Sequence, residues 1–112
     1  MPRTAFREPL PAAAEATLLR LGAVIRMARL RRGWPQARLA RKAGVAIMTL
    51  RNVEQGRPGV TLGTFVTLLW ALNLQHLLEP LLDPAADREG LALSAPRATA
   101  RASTPRTLND DF

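Results

Sequence analysis

The sequence predicts an all-α fold with five helices, a flexible N-terminal arm at residues 1–11 and a mostly disordered tail at residues 83–112. Two observations favour this class. Apolar side chains between residues 12 and 82 recur every three or four positions, which is the period of a helix with one buried face. Glycine, proline and asparagine interrupt the pattern at short intervals, as expected at helix ends. Residues 12–82 are therefore predicted to form one small helical domain.

The first helix is predicted from about residue 12 to residue 32. Gly33 ends it, because glycine accepts the left-handed backbone that commonly follows a helix. The apolar positions that recur at helical spacing in this segment are Leu18, Leu21, Ile25 and Ala28.

The second and third helices are predicted on either side of Gly44. Pro35 opens the second helix at a position where its missing N–H costs nothing. Gly44 allows a tight turn without a Cβ penalty, and the third helix follows from about Ala46 to Gln55. Two short helices joined in this way form a helix-turn-helix. The inward side chains would be Leu39, Ala40, Ala43, Leu50 and Val53.

The fourth and fifth helices are predicted to be richer in apolar residues than a five-helix monomer needs. Thr61 is the expected N-cap of the fourth helix, which continues to about Leu72, and a short fifth helix spans residues 74–82. The surplus predicts the two-fold interface of a homodimer, whereas the alternative is that these side chains, Trp70 in particular, close the monomer's own core. The predicted interface residues are Trp70, Leu74, Leu77, Leu78 and Leu81.

The charge of the chain favours a polyanionic partner. The 112 residues carry a formal net charge of +7, and ten lysines and arginines lie between Arg20 and Arg57 against a single acid, Glu54. Because the positive charge is concentrated in one segment, double-stranded DNA is a better prediction than a merely solvated basic surface.

Several other classes are disfavoured by the residues present. There is no cysteine and only one histidine, His76, so disulfides are excluded and neither a metal nor a cofactor is expected. No catalytic triad, pair of carboxylates or phosphate-binding glycine loop can be assembled, so an enzyme is not expected. No run of 18 apolar residues and no signal-peptide pattern is present, which predicts a cytoplasmic protein without a membrane partner.

Residues 36–56 read QARLARKAGVAIMTLRNVEQG. With Arg29 and Gly33 before it, this segment resembles the helix-turn-helix domain shared by phage lambda-type repressors and the XRE family, and the likeness extends over residues 21–82. The resemblance implies a lambda-repressor-like fold that binds a palindromic operator in the major groove. It also implies a structural ion pair between Arg29, late in the first helix, and Glu54, late in the third.

A third helix lying in the major groove would present its outward side chains to base edges. Asn52 could bind adenine through both ends of its amide. Arg51 could reach guanine, or it could clamp a phosphate without reading a base. Ile47 or Met48 could lie against a thymine methyl group or pack within the domain. The predicted base-reading residues are Ile47, Met48, Arg51 and Asn52.

Contacts to the phosphate backbone are predicted from position and charge. The resemblance implies that Gln36, at the start of the second helix, meets a phosphate. The chain departs from the family at Pro35 and Ala46, which replace the usual hydroxyl caps, and each lost cap typically costs about 1 kcal/mol. The remaining predicted phosphate contacts are basic residues: Arg32, Arg38, Arg41, Lys42 and Arg57.

The tail is rich in Pro, Ala, Ser, Thr and Arg, a composition that buries too little apolar surface to fold alone. A short helix-turn-helix domain, a strand-like segment at residues 90–93 and a polar extension together resemble HipB-like antitoxins. Such proteins repress their own operon and bind a HipA-like kinase toxin. Leu91 and Leu93 alternate, so they could add a strand across the dimer, and the segment that ends in Phe112 could anchor a partner.

Three functions are compatible with these features. The first is a dimeric repressor that is the antitoxin of a type II toxin–antitoxin module. The second is a stand-alone or phage-type regulator without a toxin partner. The third is mainly a protein–protein inhibitor that acts through its tail, with DNA binding secondary. A tail without any role is the alternative to both partner-binding hypotheses.

Overall fold

The computed structural model describes residues 9–100, with side chains described for residues 9–95. Over this range the all-α class is confirmed, since every element is helical. None of these helices is both long and apolar enough to span a bilayer. The α-helices are α1 (Ala12–Arg31), α2 (Gln36–Ala43), α3 (Ile47–Glu54), α4 (Leu62–Ala71), α5 (Glu79–Leu82) and α6 (Arg88–Ala100).

Two short 3₁₀ helices, Gln75–Leu78 and Pro84–Ala86, complete the described chain. The predicted fifth helix is therefore split, with Gln75–Leu78 preceding α5. Pro80 lies in the first turn of α5. It has no N–H to donate and its ring would clash with an earlier carbonyl, so one continuous helix is disfavoured through this point. The chain divides into two compact units between His76 and Leu77.

The strand predicted near residues 90–93 is wrong, because these residues lie within α6. The expected disorder of the tail likewise does not hold for this helix. The Asp87 side chain accepts a hydrogen bond from the Gly90 backbone N–H at 3.0 Å, which satisfies one of the free donors at the helix start. An alternation of two leucines over four residues is too short to outweigh this local start signal. Phe112 lies outside the described residues.

The core of the first unit joins four helices. α1 packs on α3, and α2 packs on both α3 and α4. Of the side chains predicted to face inward in the helix-turn-helix, four are buried and Ala43 is half-buried. On α1, Leu18 is half-buried and Leu21 is exposed, so the buried face lies further along this helix than its apolar pattern suggests. The largest fully buried side chains are Ile25, Leu39, Leu50, Leu68, Leu69 and Leu72.

The turn between α2 and α3 has the predicted geometry. Gly44 adopts a left-handed backbone with φ of 72°, a conformation that costs glycine little. The Val45 N–H donates to the Ala40 carbonyl at 3.0 Å, which closes the end of α2.

The N-caps of α2, α3 and α4 are the residues expected from the sequence. Pro35 and Ala46 stand at the N-caps of α2 and α3 without a side-chain hydrogen bond. Thr61, in contrast, accepts a hydrogen bond from the Thr64 N–H at 3.1 Å. Because α2 and α3 lack caps, their stability must come mainly from packing.

Gly22 allows α1 to approach the end of α3 at backbone distance. A Cβ at this position would collide with the Val53 carbonyl oxygen and would lie 2.9 Å from the Glu54 carbonyl oxygen and 3.0 Å from the Gly56 nitrogen. These neighbours are backbone atoms, so they cannot move aside as the end of a flexible side chain can. Two turns later on the same helix lies Arg29, and the close approach brings its side chain to α3.

We predict that Gly22→Ala lowers the free energy of unfolding by about 1–3 kcal/mol, the usual cost of overpacking. Alanine is the better helix former, so a loss of stability would have to come from this contact. Urea unfolding of the full chain measures the change.

Gly63→Ala is the matched control. Apart from its two chain neighbours and the nearby backbone of its own helix, no atom in the described part of the chain lies within 4 Å of the Cβ that Gly63 would gain, and the residue lies in the first turn of α4. This variant should be about 0.4–1 kcal/mol more stable than the wild type. If both variants were equally stabilised, the proposed tightness of the α1–α3 contact would be refuted.

Candidate nucleic-acid interface

A buried ion pair joins α1 to α3. The Arg29 Nε donates to Glu54 Oε2 at 2.7 Å, and a second guanidinium nitrogen donates to Oε1 at 3.0 Å. The two side chains are only 8% and 3% exposed. The third nitrogen of the Arg29 guanidinium donates to the Trp34 carbonyl at 2.8 Å, which also fixes the loop before α2. The two residues expected to pair are therefore joined by a two-pronged contact.

Gln36 and Arg51 extend this pair to the surface. The Gln36 Nε2 donates to Glu54 Oε1 at 3.1 Å, and the Arg51 Nε donates to Gln36 Oε1 at 3.1 Å. One chain of hydrogen bonds thus runs from Arg29 through Glu54 and Gln36 to Arg51, linking α1, α2 and α3. Gln36, which the sequence predicts to contact a phosphate, has both ends of its amide bound to protein groups.

The hydrogen bonds compensate the cost of burying two charges. Within residues 9–95, no buried nitrogen or oxygen of a side chain lacks a hydrogen-bond partner. Removing water from a carboxylate and a guanidinium costs several kcal/mol each, on the order of what a well-oriented pair with further hydrogen bonds recovers. Losing one partner would leave the other charge buried and uncompensated.

The outward face of α3 carries the predicted base-reading residues. Leu50 and Val53 are buried on the opposite side of the helix. Met48 is 56% exposed, so it does not pack within the domain, and Ile47 is exposed to a smaller extent. Arg51 is exposed, and Asn52 is half-buried.

The Asn52 amide makes no hydrogen bond to any other part of the described chain. Its backbone carbonyl, in contrast, accepts a hydrogen bond from the Arg57 N–H at 3.0 Å. An amide that keeps one acceptor and two donors free can bind the N6 and N7 edge of adenine. The side chain is thus free to bind, while the backbone beside it is held in place.

Gln55 lies on the same outward face and was missed in the sequence. It is exposed, and its Oε1 accepts a hydrogen bond from the Arg57 Nε at 2.8 Å. The signal was its spacing, seven residues after Met48 and four after Arg51, which places all three on one side of a helix. Arg57, predicted to contact a phosphate, is thereby held next to α3.

Arg32 has a structural contact that the sequence did not indicate. Its guanidinium donates to the Ala28 carbonyl at 2.8 Å and to the Leu72 carbonyl at 2.9 Å. Leu72 is the C-cap of α4, so the arginine supplies a hydrogen-bond donor and a positive charge to a carbonyl at the C-terminal end of that helix. Its predicted phosphate contact stays a prediction.

The other three predicted phosphate contacts, Arg38, Arg41 and Lys42, are exposed on α2 and point away from its buried residues. The Arg38 guanidinium lies 4.8 Å and the Lys42 ammonium 5.5 Å from the centre of the Trp34 ring. Such cation–π contacts hold both cationic groups beside Trp34, just before the start of α2. Trp34 was missed in the sequence, although its spacing of four and eight residues from the two cations was the available signal.

The side chains predicted for the dimer interface and for partner binding by the tail differ in their exposure. Trp70 is 58% exposed, which argues against its closing the monomer's core. Leu74 and Leu78 are half-buried, and Leu77 and Leu81 are exposed. The predicted partner-binding side chains that the structure describes, Leu91 and Leu93, are both exposed on α6.

A small helical unit in which a tight turn joins two short helices, and the later one, here α3, has an exposed outward face, is the architecture of a DNA-binding helix-turn-helix domain. Residues 20–82 match the family model described as a helix-turn-helix domain, and the chain belongs to this family. Antitoxin HipB of Escherichia coli (strain K12) is 34% identical over 58 residues, which are 52% of this chain and 66% of that protein. The chain thus matches slightly less than two thirds of the relative's length.

Both comparisons confirm the predicted resemblance to XRE and HipB-like proteins. No solved structure matches the chain. Family membership makes residues 20–82 a DNA-binding domain rather than a catalytic one.

We predict that Glu54→Gln lowers the free energy of unfolding by about 3–5 kcal/mol, because Arg29 then remains buried without its counter-charge. Urea unfolding of the full chain, followed by circular dichroism, measures this loss. Glu15→Gln is the control, since Glu15 is an exposed acid in the first turn of α1. That variant should lose at most about 1 kcal/mol. Similar small losses in the two variants would mean that the pair does not hold the domain together.

Proposed function

We propose that this chain is a dimeric, sequence-specific transcriptional repressor and the antitoxin of a type II toxin–antitoxin module. The observation that carries the DNA-reading part is the outward face of α3. Its Asn52 amide is free of intramolecular side-chain bonds, while the helix beneath is fixed by the Arg29–Glu54 pair. The segment from Arg20 to Arg57, which includes this helix, carries ten lysines and arginines and one acid, and this excess of positive charge provides attraction to phosphates.

The dimensions of α3 fit the proposed role. An α-helix with its side chains is about 10–12 Å across, which fits the major-groove width of about 12 Å, and the eight residues of α3 extend about 12 Å at 1.5 Å per residue. In this arrangement Asn52 binds an adenine, Arg51 binds a guanine, and Met48 or Ile47 lies against a thymine methyl group. Arg57 and the cations of α2 contact the phosphates, which fixes register without reading sequence.

A second copy of the chain is part of the proposal. One helix of eight residues makes few base contacts, so two copies on a palindrome, about 34–36 Å apart, supply the missing discrimination. The exposed Trp70 supports a protein contact at the end of α4, because large aromatic side chains dominate interface energies. The proposed two-fold interface consists of Trp70, Leu74, Leu77, Leu78 and Leu81.

The toxin partner is proposed from the relative named as an antitoxin. We infer a HipA-like kinase as the partner and the chain's own operon, in the cytoplasm, as its target. Leu91 and Leu93 are exposed on α6 and offer apolar side chains for that contact. The contact would then use a helix face rather than the added strand that the sequence suggested.

A stand-alone regulator without a toxin is the second candidate. It is favoured by the extent of the similarity, which covers 58 residues and about half of this chain. A neighbouring kinase gene whose product co-purifies with the full-length chain would support the antitoxin. A full-length chain that represses its promoter and binds no such kinase would support the stand-alone regulator.

For the base-reading role of Asn52, we predict that Asn52→Ala costs about 1–3 kcal/mol at one base pair per half-site and relaxes the preference there. Binding to duplexes selected from a random pool by the wild type, and to single-base variants of them, measures the effect. Arg57→Ala is the comparison, expected to weaken binding to every duplex and to reduce the salt slope by about one. Equal losses on all sequences for Asn52→Ala would exclude base reading by this residue.

For the dimer, we predict that Trp70→Glu weakens self-association by about 30-fold or more, the usual effect of losing a central aromatic side chain. Sedimentation equilibrium gives the dimer constant, and circular dichroism confirms that the helices remain. Leu62→Glu is the matched control, because Leu62 is also on α4, is 77% exposed and lies outside the proposed interface. If both variants stay dimeric, Trp70 is not part of the two-fold contact.

A further inference from the structure

We propose that Gln36 is a positioning residue that aims Arg51 at one base pair of the operator. The inference rests on the proposed DNA-reading function and assigns the specificity at that base pair to a residue pair rather than to Arg51 alone. It replaces a phosphate contact as the main role of Gln36. The juxtaposition that carries it is the chain of hydrogen bonds from Glu54 to Gln36 to Arg51.

The orientation of the Gln36 amide is determined by its two neighbours. The Glu54 carboxylate can only accept hydrogen bonds, so it must face the amide nitrogen, and the distance is 3.1 Å. The Arg51 guanidinium can only donate, so it must face the amide oxygen, again at 3.1 Å. A reversed amide would lose both bonds. Glutamine therefore fits this position in one orientation only.

The contact leaves the DNA-binding part of Arg51 free. Gln36 uses the Nε of the guanidinium, and neither terminal nitrogen of Arg51 makes a hydrogen bond elsewhere in the described chain. Two terminal N–H groups in one plane are the donors that bind guanine O6 and N7. Because the Nε bond fixes that plane before DNA arrives, less side-chain freedom is lost on binding.

The support behind Gln36 is rigid. Glu54 is buried and held by two nitrogens of Arg29, so the carboxylate that orients Gln36 has little freedom to move. Gln36 itself is half-buried at the first position of α2. The plane of an exposed arginine is thus set from the core through one amide.

The two roles of Gln36 predict different losses. A phosphate contact carries no sequence information, so its removal weakens binding to all duplexes alike. Loss of a positioning contact removes discrimination at the base pair that Arg51 reads and leaves the preferences at the other positions unchanged. The pattern of base preference therefore separates them, whereas affinity for one duplex does not.

The experiment starts with selection of preferred duplexes from a random pool by the full-length wild type. Gln36→Met keeps the length of the side chain and removes both hydrogen bonds. We expect it to lose about tenfold or more of the preference at one base pair per half-site, the size of one bidentate contact. Arg51→Ala should lose the preference at the same base pair, and the double variant should lose no more than Arg51→Ala.

Thr17→Val is the matched control. It likewise removes a side-chain hydrogen bond while keeping the size of the side chain, here the bond to the Ala13 carbonyl at 3.1 Å, from an exposed residue of α1 outside the candidate interface. Its base preferences should equal those of the wild type. Arg51→Lys is a second test that does not depend on the buried network, since Arg51 is exposed. Lysine keeps the charge and lacks the planar fork, so it should retain affinity and lose the preference.

The outcomes separate the inference from the function on which it rests. If the wild type selects no preferred sequence, the proposed DNA-reading function fails. If it selects one, and Gln36→Met weakens all duplexes equally, Gln36 is a phosphate contact and the inference is overturned. An Arg51→Ala variant with unchanged base preferences would also overturn it, because Arg51 would then have no base to read.

Discussion

The buried pair of Arg29 and Glu54 is the constraint on which the rest of the domain depends. It joins the end of α1 to the end of α3, and its other hydrogen bonds hold the Trp34 carbonyl and the Gln36 amide. Removing Arg29 would take the partner from the Trp34 carbonyl, and removing Glu54 would take the partner from the Gln36 amide nitrogen. Because a buried charge is costly without its counter-charge, the domain either keeps the whole arrangement or loses stability sharply.

This constraint also explains an exception in the helix pattern. A glycine inside a long helix normally costs about 0.5–1 kcal/mol relative to alanine. Gly22 nevertheless lies in the middle of α1, where a Cβ would meet backbone atoms of α3. The lost helix propensity is offset because the two helices approach closely enough for Arg29 to reach Glu54. Packing and electrostatics therefore depend on the same small residue.

Local signals predicted most of the helix-turn-helix, and the link between Gln36 and Arg51 was missed because it joins residues far apart in the sequence. Gly44 and Thr61 marked a helix end and a start, because their effects depend only on neighbouring backbone. The link from Gln36 to Arg51 spans 15 residues and depends on how α2 packs on α3. The strand predicted in the tail was wrong for another reason. The alternation of Leu91 and Leu93 was too short to define a period, whereas the cap at Asp87 favoured a helix.

α3 lacks a side-chain cap that would support helix formation, and its outward face carries few polar side chains. Neither α2 nor α3 has a side-chain cap, and α3 begins with the exposed apolar residues Ile47 and Met48. Apolar contacts to a thymine methyl group, which the proposed function assigns to these two residues, discriminate less than paired hydrogen bonds do. On that proposal specificity comes mainly from Arg51 and Asn52, and two side chains can supply it only if they are accurately placed. A hydrogen-bonded support that reaches the core is a physical way to achieve this placement, and it explains why polar groups are buried beneath so short a helix.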